Sequence, residues 1–140
     1  FRHYMHDHFP GTEIIELHLP FYGSRSEYDA MLRTFFAEHP HIHNCISLNS
    51  KAHIVGEFLL RNNKRDVQIM GYDTVAKNAE CLREGSISFL IAQHGYQQGY
   101  SCVDTLFKAI VLKKKVQPVN YMPIELLTKE NVDFYRRTQL

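Results

Sequence analysis

The 140 residues lack charge of one sign. Sixteen lysines and arginines face fifteen aspartates and glutamates, a formal net charge of +1. That balance removes the electrostatic argument for a nucleic-acid surface. Long hydrophobic runs are missing too, and none reaches the length needed to span a bilayer. Nothing at the start resembles a secretory leader. Phe1 is not an initiator methionine, so the chain is expected to be cut from something longer. Cysteine is scarce. Cys45, Cys81 and Cys102 are odd in number, widely spaced and set in apolar contexts. They read as buried free thiols rather than a disulfide framework, which favours a reducing compartment. No glycine-rich loop has a lysine beside it, which excludes the common phosphate cradle. Internal repeats and low-complexity tracts are absent. What remains is an ordinary composition, 44% hydrophobic and 22% charged, in a chain long enough for one domain with a real core.

The most organised stretch is Val67 to Gln93. Val67, Ile69 and Met70 form a short apolar run that Gly71-Tyr72-Asp73 is expected to break. Ala76, Ala79, Cys81 and Leu82 recur at helical spacing, and Gly85 stands where a helix C-terminus favours a left-handed residue. Ile87, Phe89, Leu90 and Ile91 form a second buried-type strand, ended by Gln93. Strand, helix and strand make a βαβ unit with parallel strands.

The rest of the chain continues the alternation. Phe1, Tyr4 and Met5 sit at helical spacing, and Pro10-Gly11 ends that helix. Glu13 to Leu19 alternates with β-branched residues and reads as a strand. Ser24 or Ser26 caps a helix with Glu27 in its first turn, its apolar face running from Tyr28 to Phe36, and Pro40 closes it. Cys45 to Leu48 is a short buried-type strand. Ala52 to Leu59 is helical and frays toward Lys64. Tyr96 to Leu112 is a long helix with Lys113 to Lys115 at its C-terminus, where positive charge suits the dipole. Val119 to Leu127 is extended but interrupted by Pro123, which marks an edge strand or a crossing segment. Thr128 begins a short final helix. The fold class is therefore α/β, a parallel sheet with helices on both faces.

Chemistry concentrates at three strand ends: Asn49, Asp73 and Gln93. In a parallel sheet the carboxyl ends share one rim, where open α/β sheets bind ligands. An Asn, an Asp and a Gln together offer donors and acceptors, which suits a neutral polyhydroxylated ligand. No Ser, His and acid converge there, so an acyl-transfer centre is not indicated. The alternative is that Asn49 and Asp73 merely cap the helices that follow. Tyr72 and Tyr96 flank the rim, either stacking on a sugar ring or simply packing. His39, His41 and His43 alternate and would face one way in an extended chain, as metal ligands do. They lie at a helix end without a neighbouring Cys or carboxylate, and a solvated loop is the plainer reading.

The run from Met70 to Tyr100 resembles the effector-binding domain of bacterial LacI-type transcription regulators and of periplasmic sugar-binding proteins. The resemblance rests on Gly71-Tyr72-Asp73, Gly85, Ala92-Gln93 and Gly99 in their order and spacing. CISLNSKAHIVGEFL from Cys45 looks like the family's strand, Asn-Asp and helix, with Asn49-Ser50 in that place. Phe1 to Met5 looks like the end of the family's Arg-x-x-Gly-Phe helix, and PVNYMPIELLTKENVDFY like its last strand. The resemblance covers essentially the whole chain. It departs at Ser50, where the family usually has Asp, and at Gly95, which replaces a common Pro.

The resemblance implies a single partial domain over residues 1–140. That domain would be the incomplete C-terminal lobe of a periplasmic-binding-protein-like fold, with a three-layer, flavodoxin-like parallel sheet. It implies no enzyme, no catalytic residue, no metal and no cofactor. It assigns Asn49, Asp73 and Gln93 to sugar hydroxyls. It implies operator DNA as a partner through a helix-turn-helix domain absent here, a homodimer, and a cytoplasmic location. The runner-up is a periplasmic sugar-binding protein or the sensor half of a membrane receptor. Residues 96–118 would be a crossover helix belonging to the missing lobe. With the family's first strand also missing, the strands at Glu13 and Cys45 are expected to lack a shared neighbour, inviting strand or helix swapping.

Overall fold

The computed structural model describes residues 1–137. The chain forms two compact units, Phe1–Pro40 and a second from His41 onward.

In the first unit, α1 (Arg2–His8) closes where the Phe9 N–H donates to the Met5 carbonyl at 2.8 Å. α2 (Arg25–Glu38) opens on Ser24, with a reciprocal capping box. The Glu27 N–H donates to Ser24 Oγ at 3.3 Å and the Ser24 N–H to Glu27 Oε2 at 2.7 Å. Two orphan donors of the first turn are thereby satisfied. The Ser24 N–H, and the Ser24 hydroxyl that also donates to Glu27 Oε2 at 2.8 Å, hold the Glu27 carboxyl below the usual carboxylate range. Leu32 and Phe36, four residues apart, are buried. The strand expected over Glu13 to Leu19 does not form, and the segment carries no ladder. Alternation specifies a face, whereas a strand also needs a partner to take its N–H and carbonyl groups. The Arg2 guanidinium, 2.6 Å from Glu16 Oε1, holds this segment to α1 instead.

The second unit is built on a four-stranded sheet in the order β1 (Asn44–Ile46), β2 (Gln68–Tyr72), β3 (Phe89–Ala92), β4 (Glu125–Leu127). The first three strands are parallel and β4 is antiparallel to β3. α3 (Ala52–Arg61) and α4 (Ala76–Arg83) pack side by side, α3 also against β2 and α4 against β3. α3, α4, β2 and β3 contribute Phe58, Leu59, Ile69, Leu82 and Leu90 to the core. α4 ends in a Schellman motif. Gly85 takes φ +79, the Ser86 N–H donates to the Cys81 carbonyl at 3.0 Å and the Gly85 N–H to Leu82 at 3.2 Å.

Two strand boundaries differ from expectation. β1 stops at Ile46 rather than Leu48, because Ser47 Oγ turns to donate to the Asn49 carbonyl at 3.2 Å. Local side-chain bonds of this kind compete with a ladder. β2 runs through Gly71-Tyr72 rather than breaking there, since Gly71 and Tyr72 pair with Leu90 and Ile91. β1 is an edge strand among the described residues, and its three-residue length keeps that edge small. β4 is the other edge, following Pro123 as expected. The final helix, α6 (Val132–Arg137), starts four residues after Thr128. Thr128 instead begins the entry turn, its N–H donating to Asn131 Oδ1 at 2.8 Å.

α5 (Gly95–Ile110) has no buried residue. Its apolar side, including Tyr100, Val103 and Phe107, is exposed. Cys102 lies on this helix and is exposed, correcting the expectation of three buried thiols. Helical periodicity supplied an apolar face, but no element of the described chain covers it. Burial pushes the Cys45 thiol up to about 11 and raises Cys81 as well. Iodoacetamide at pH 8 is therefore expected to alkylate Cys102 well before Cys45 and Cys81, since the thiolate is the nucleophile. Peptide mass spectrometry of timed samples reads this out. Equal labelling of Cys45 and Cys102 would contradict the burial of the Cys45 thiol.

Candidate functional site

The carboxyl ends of β2 and β3 each lead into a left-handed residue, Asp73 at φ +66 and His94 at φ +50. Both are sparsely populated conformations for non-glycine residues, and Asp, Asn and His tolerate them best. The Asp73 N–H still reaches the Ile91 carbonyl at 2.9 Å, so β2 and β3 remain in step up to the turn. This brings two of the three strand-end residues together. Gln93 Nε2 donates to Asp73 Oδ1 at 3.2 Å. Gln98, in the first turn of α5, donates from its amide to the Gln93 carbonyl.

These residues open onto a cavity of about 460 Å³. Asp73, Thr74 and Val75 line it after β2; Gln93, His94, Gly95, Tyr96 and Gln98 line it after β3; Tyr135 comes from α6. No lysine or arginine is among them. Its back is aromatic and nearly dry: His94 and Tyr135 are each 7% exposed, with ring centres 5.1 Å apart. The His94 N–H donates to the Tyr135 hydroxyl at 3.2 Å, and His94 Nε2 lies 3.2 Å from Glu125 Oε1 on β4.

Asn49 and Tyr72 are not brought to this cavity. Asn49 Oδ1 accepts the Lys51 N–H at 2.9 Å, an Asx turn just ahead of α3. Asp73 does not cap its helix, since the N-cap residue of α4 is Val75 and no side chain caps it. Neither α3 nor α4 carries a side-chain cap, so the capping alternative describes neither residue, and Asn49 is held in its own Asx turn. Tyr96 lines the cavity and is largely exposed. Among the described residues, no three His, Cys, Asp or Glu side chains group to hold a metal ion. Of the three alternating histidines, His43 places Nδ1 3.1 Å from the Asp66 carbonyl.

Asn78, on α4, is the residue that strand-end reasoning missed. It is fully buried. Its Nδ2 donates to the carbonyls of Ser50, Tyr72 and Asp73 at 3.1, 3.0 and 3.0 Å. Its Oδ1 accepts the His53 N–H at 2.8 Å, and His53 Nδ1 lies 3.0 Å away. One amide thus ties the end of β2 to the entry of α3. The signal for it was an amide beside Ala79 and four residues before Leu82, on the apolar face of a helix. A polar group placed there has to find partners inside.

A profile of the periplasmic binding protein domain matches residues 1–115, and the chain belongs to that family. No curated protein matches the chain by sequence. Among solved structures, a candidate LacI transcriptional regulator from Bacteroides fragilis is 45% identical with a TM-score of 0.90, over 96% of this chain and 46% of its own. A sugar-binding protein of a sugar ABC transporter from Bacillus halodurans is 21% identical, TM-score 0.79, over 96% of this chain and 50% of its own. An ABC transporter solute-binding protein from Agrobacterium vitis, bound with α-D-tagatopyranose, is 19% identical, TM-score 0.77, over 94% and 44%. The last two likenesses show the fold. The chain spans about half the length of each of these relatives.

Proposed function

We propose that this chain is the C-terminal lobe of the sensor domain of a LacI-type transcription regulator, and that it binds a neutral sugar between its strand ends and a second lobe. The observation that carries the ligand class is the cavity where Asp73 and Gln93 meet at 3.2 Å without a lysine or arginine on its walls. A carboxylate accepts from sugar hydroxyls, and the Gln93 and Gln98 amides both donate and accept. A sugar phosphate would meet the Asp73 charge with no cation to offset it. Nothing in the cavity pairs a nucleophile with a base, which favours a binding module over an enzyme.

The regulator reading draws on the 45% identity with the Bacteroides fragilis protein. A reducing compartment for three free cysteines agrees with a cytoplasmic location. A transporter's sugar-binding protein is the second reading, favoured by the two sugar-transport relatives of the same fold. Asn49 would complete the set by leaving its Asx turn when a sugar arrives, and Tyr96 would stack on the ring. α5, with no buried residue, would be the helix that docks on the other lobe. Sugar binding would then favour closed lobes and shift a homodimer's DNA-binding geometry.

The test is ligand binding by the chain itself, read by thermal shift and NMR titration against millimolar neutral monosaccharides, tagatose among them, and against sugar phosphates. A ligand of the folded state raises the melting temperature by mass action. Asp73→Ala is expected to weaken binding of the neutral sugar at least about tenfold, the weight of a hydrogen bond to a charged group. Preference for a sugar phosphate, or indifference to Asp73→Ala, would overturn the ligand class.

A further inference from the structure

The back of the cavity comes from the far end of the chain, 41 residues beyond His94. His94 holds φ +50, a conformation that persists for a non-glycine residue only where its surroundings over-determine it. Those surroundings are specific. Its N–H donates to the Tyr135 hydroxyl at 3.2 Å, its ring meets the Tyr135 ring edge-on, and its Nε2 faces Glu125 Oε1 at 3.2 Å. On the other side, its carbonyl accepts the Gln98 N–H at 2.9 Å as α5 begins. The residue just before it, Gln93, donates to Asp73. Tyr135 is itself held by burial, as is Val132 one turn before it, and α6 is also tied to α4. Arg83 Nε and Nη2 both donate to Asp133 Oδ1, at 2.9 and 2.7 Å.

We infer that Tyr135 is a positioning residue of the ligand cavity: its hydroxyl holds the His94 amide and so fixes the turn that sets Gln93 opposite Asp73. The binding part of this inference rests on the sugar-binding reading above; the positioning part stands without it. Through Arg83 and Asp133 the same contact makes the placement of Gln93 depend on how α6 is seated. The C-terminal helix is thereby a part of the site rather than an appendage to the sheet.

The experiment is Tyr135→Phe in the full chain, which keeps the ring and removes the hydroxyl. Hydrogen exchange of the His94 amide is expected to be slow in the wild type and at least about tenfold faster in the variant, because a hydrogen-bonded buried amide exchanges only on opening. The backbone NMR signals of Asp73, Gln93 and Gly95 are expected to move. Affinity for tagatose is expected to fall about three- to tenfold, the weight of one neutral hydrogen bond. Asp133→Asn, outside the cavity, is expected to move the same signals in the same direction, and it carries the test if Tyr135→Phe does not fold. A wild-type His94 amide that exchanges like an exposed loop amide overturns the inference. So do variants that leave Asp73 and Gln93 unmoved. If the wild type binds no sugar, the affinity comparison falls away, and exchange and chemical shifts alone decide the role of Tyr135.

Discussion

Asn78→Ala is expected to lower the unfolding free energy by about 3–5 kcal/mol, among the largest effects of any single substitution in this chain. The magnitude follows from what loses its partner. Three carbonyls, those of Ser50, Tyr72 and Asp73, lose a donor, and the His53 N–H loses its acceptor. An unsatisfied buried polar group costs about 1–3 kcal/mol. Water entering the space left by the amide offsets part of that, so the total stays below the simple sum. Asn78→Asp is the sharper probe because it keeps the shape. It turns the donating edge into an oxygen facing three carbonyls, and it is expected to destabilise at least as much as alanine does. Urea denaturation measures both. A loss under about 1 kcal/mol for Asn78→Ala would mean that these carbonyls are satisfied elsewhere, and the hub would be refuted. The damage is also expected to reach the cavity, because the carbonyl tied by Asn78 belongs to Asp73 itself. The NMR signal of Asp73 should broaden or shift even in conditions where the variant remains folded.

Gly71→Ala is the second. A Cβ on Gly71 would stand 2.6 Å from Ala52 Cβ and 2.8 Å from Leu90 Cδ2. Ala52 is fully buried in the first turn of α3, and its Cβ cannot move unless the helix moves. Leu90 is fully buried in β3, which is paired on both sides. With Ala52 unable to give and Leu90 Cδ2 able to turn only into a packed core, the substitution is expected to cost about 3 kcal/mol, the upper end of ordinary overpacking. That corresponds to a fall in melting temperature on the order of 10 °C for a chain of this size. Gly99→Ala is the control. Nothing lies within 4 Å of its Cβ position, and it sits inside α5, so it is expected to be neutral or to stabilise by about 0.5–1 kcal/mol. Similar losses for the two variants would show that backbone freedom, rather than the close approach of α3, is why Gly71 is glycine.

These two residues also mark how far the sequence could be read. In the sequence, Gly71 reads as a strand breaker within Gly71-Tyr72-Asp73. Seen alone, a glycine signals weakness in a strand. Only the approach of Ala52 shows that it lets α3 close over β2. Asn78 stands in a helical pattern in which its apolar neighbours carry the stronger signal. Asp73 and Gln93 were legible because strand ends follow from hydrophobic runs, and parallel strands place their ends on one rim. Asn49 was legible as a strand end too, yet it is engaged in its own turn, because an Asx side chain finds the N–H two residues on before it finds anything distant. Tyr135 was not legible, since nothing local links it to a turn 41 residues earlier.

What could be read from the residues alone is local: a serine cap at Ser24 or Ser26 with Glu27 in the first turn, the helices with their apolar faces, the left-handed glycine at 85, the short buried-type strands, and hence the α/β class. Each depends on neighbours within about one helical turn or on a strand's alternation. The tertiary structure decided which extended segments became strands. Cys45 and Glu125 found ladders while Ile14 to Leu19 did not, because a strand is completed by a partner its own residues do not name. It also decided which polar residues act together. The hydrogen bonds of Asn78 to carbonyls far along the chain, and of the His94 N–H to the Tyr135 hydroxyl, exist only once helices and sheet are packed, and they sit beside the strand ends where Asp73 and Gln93 line one cavity.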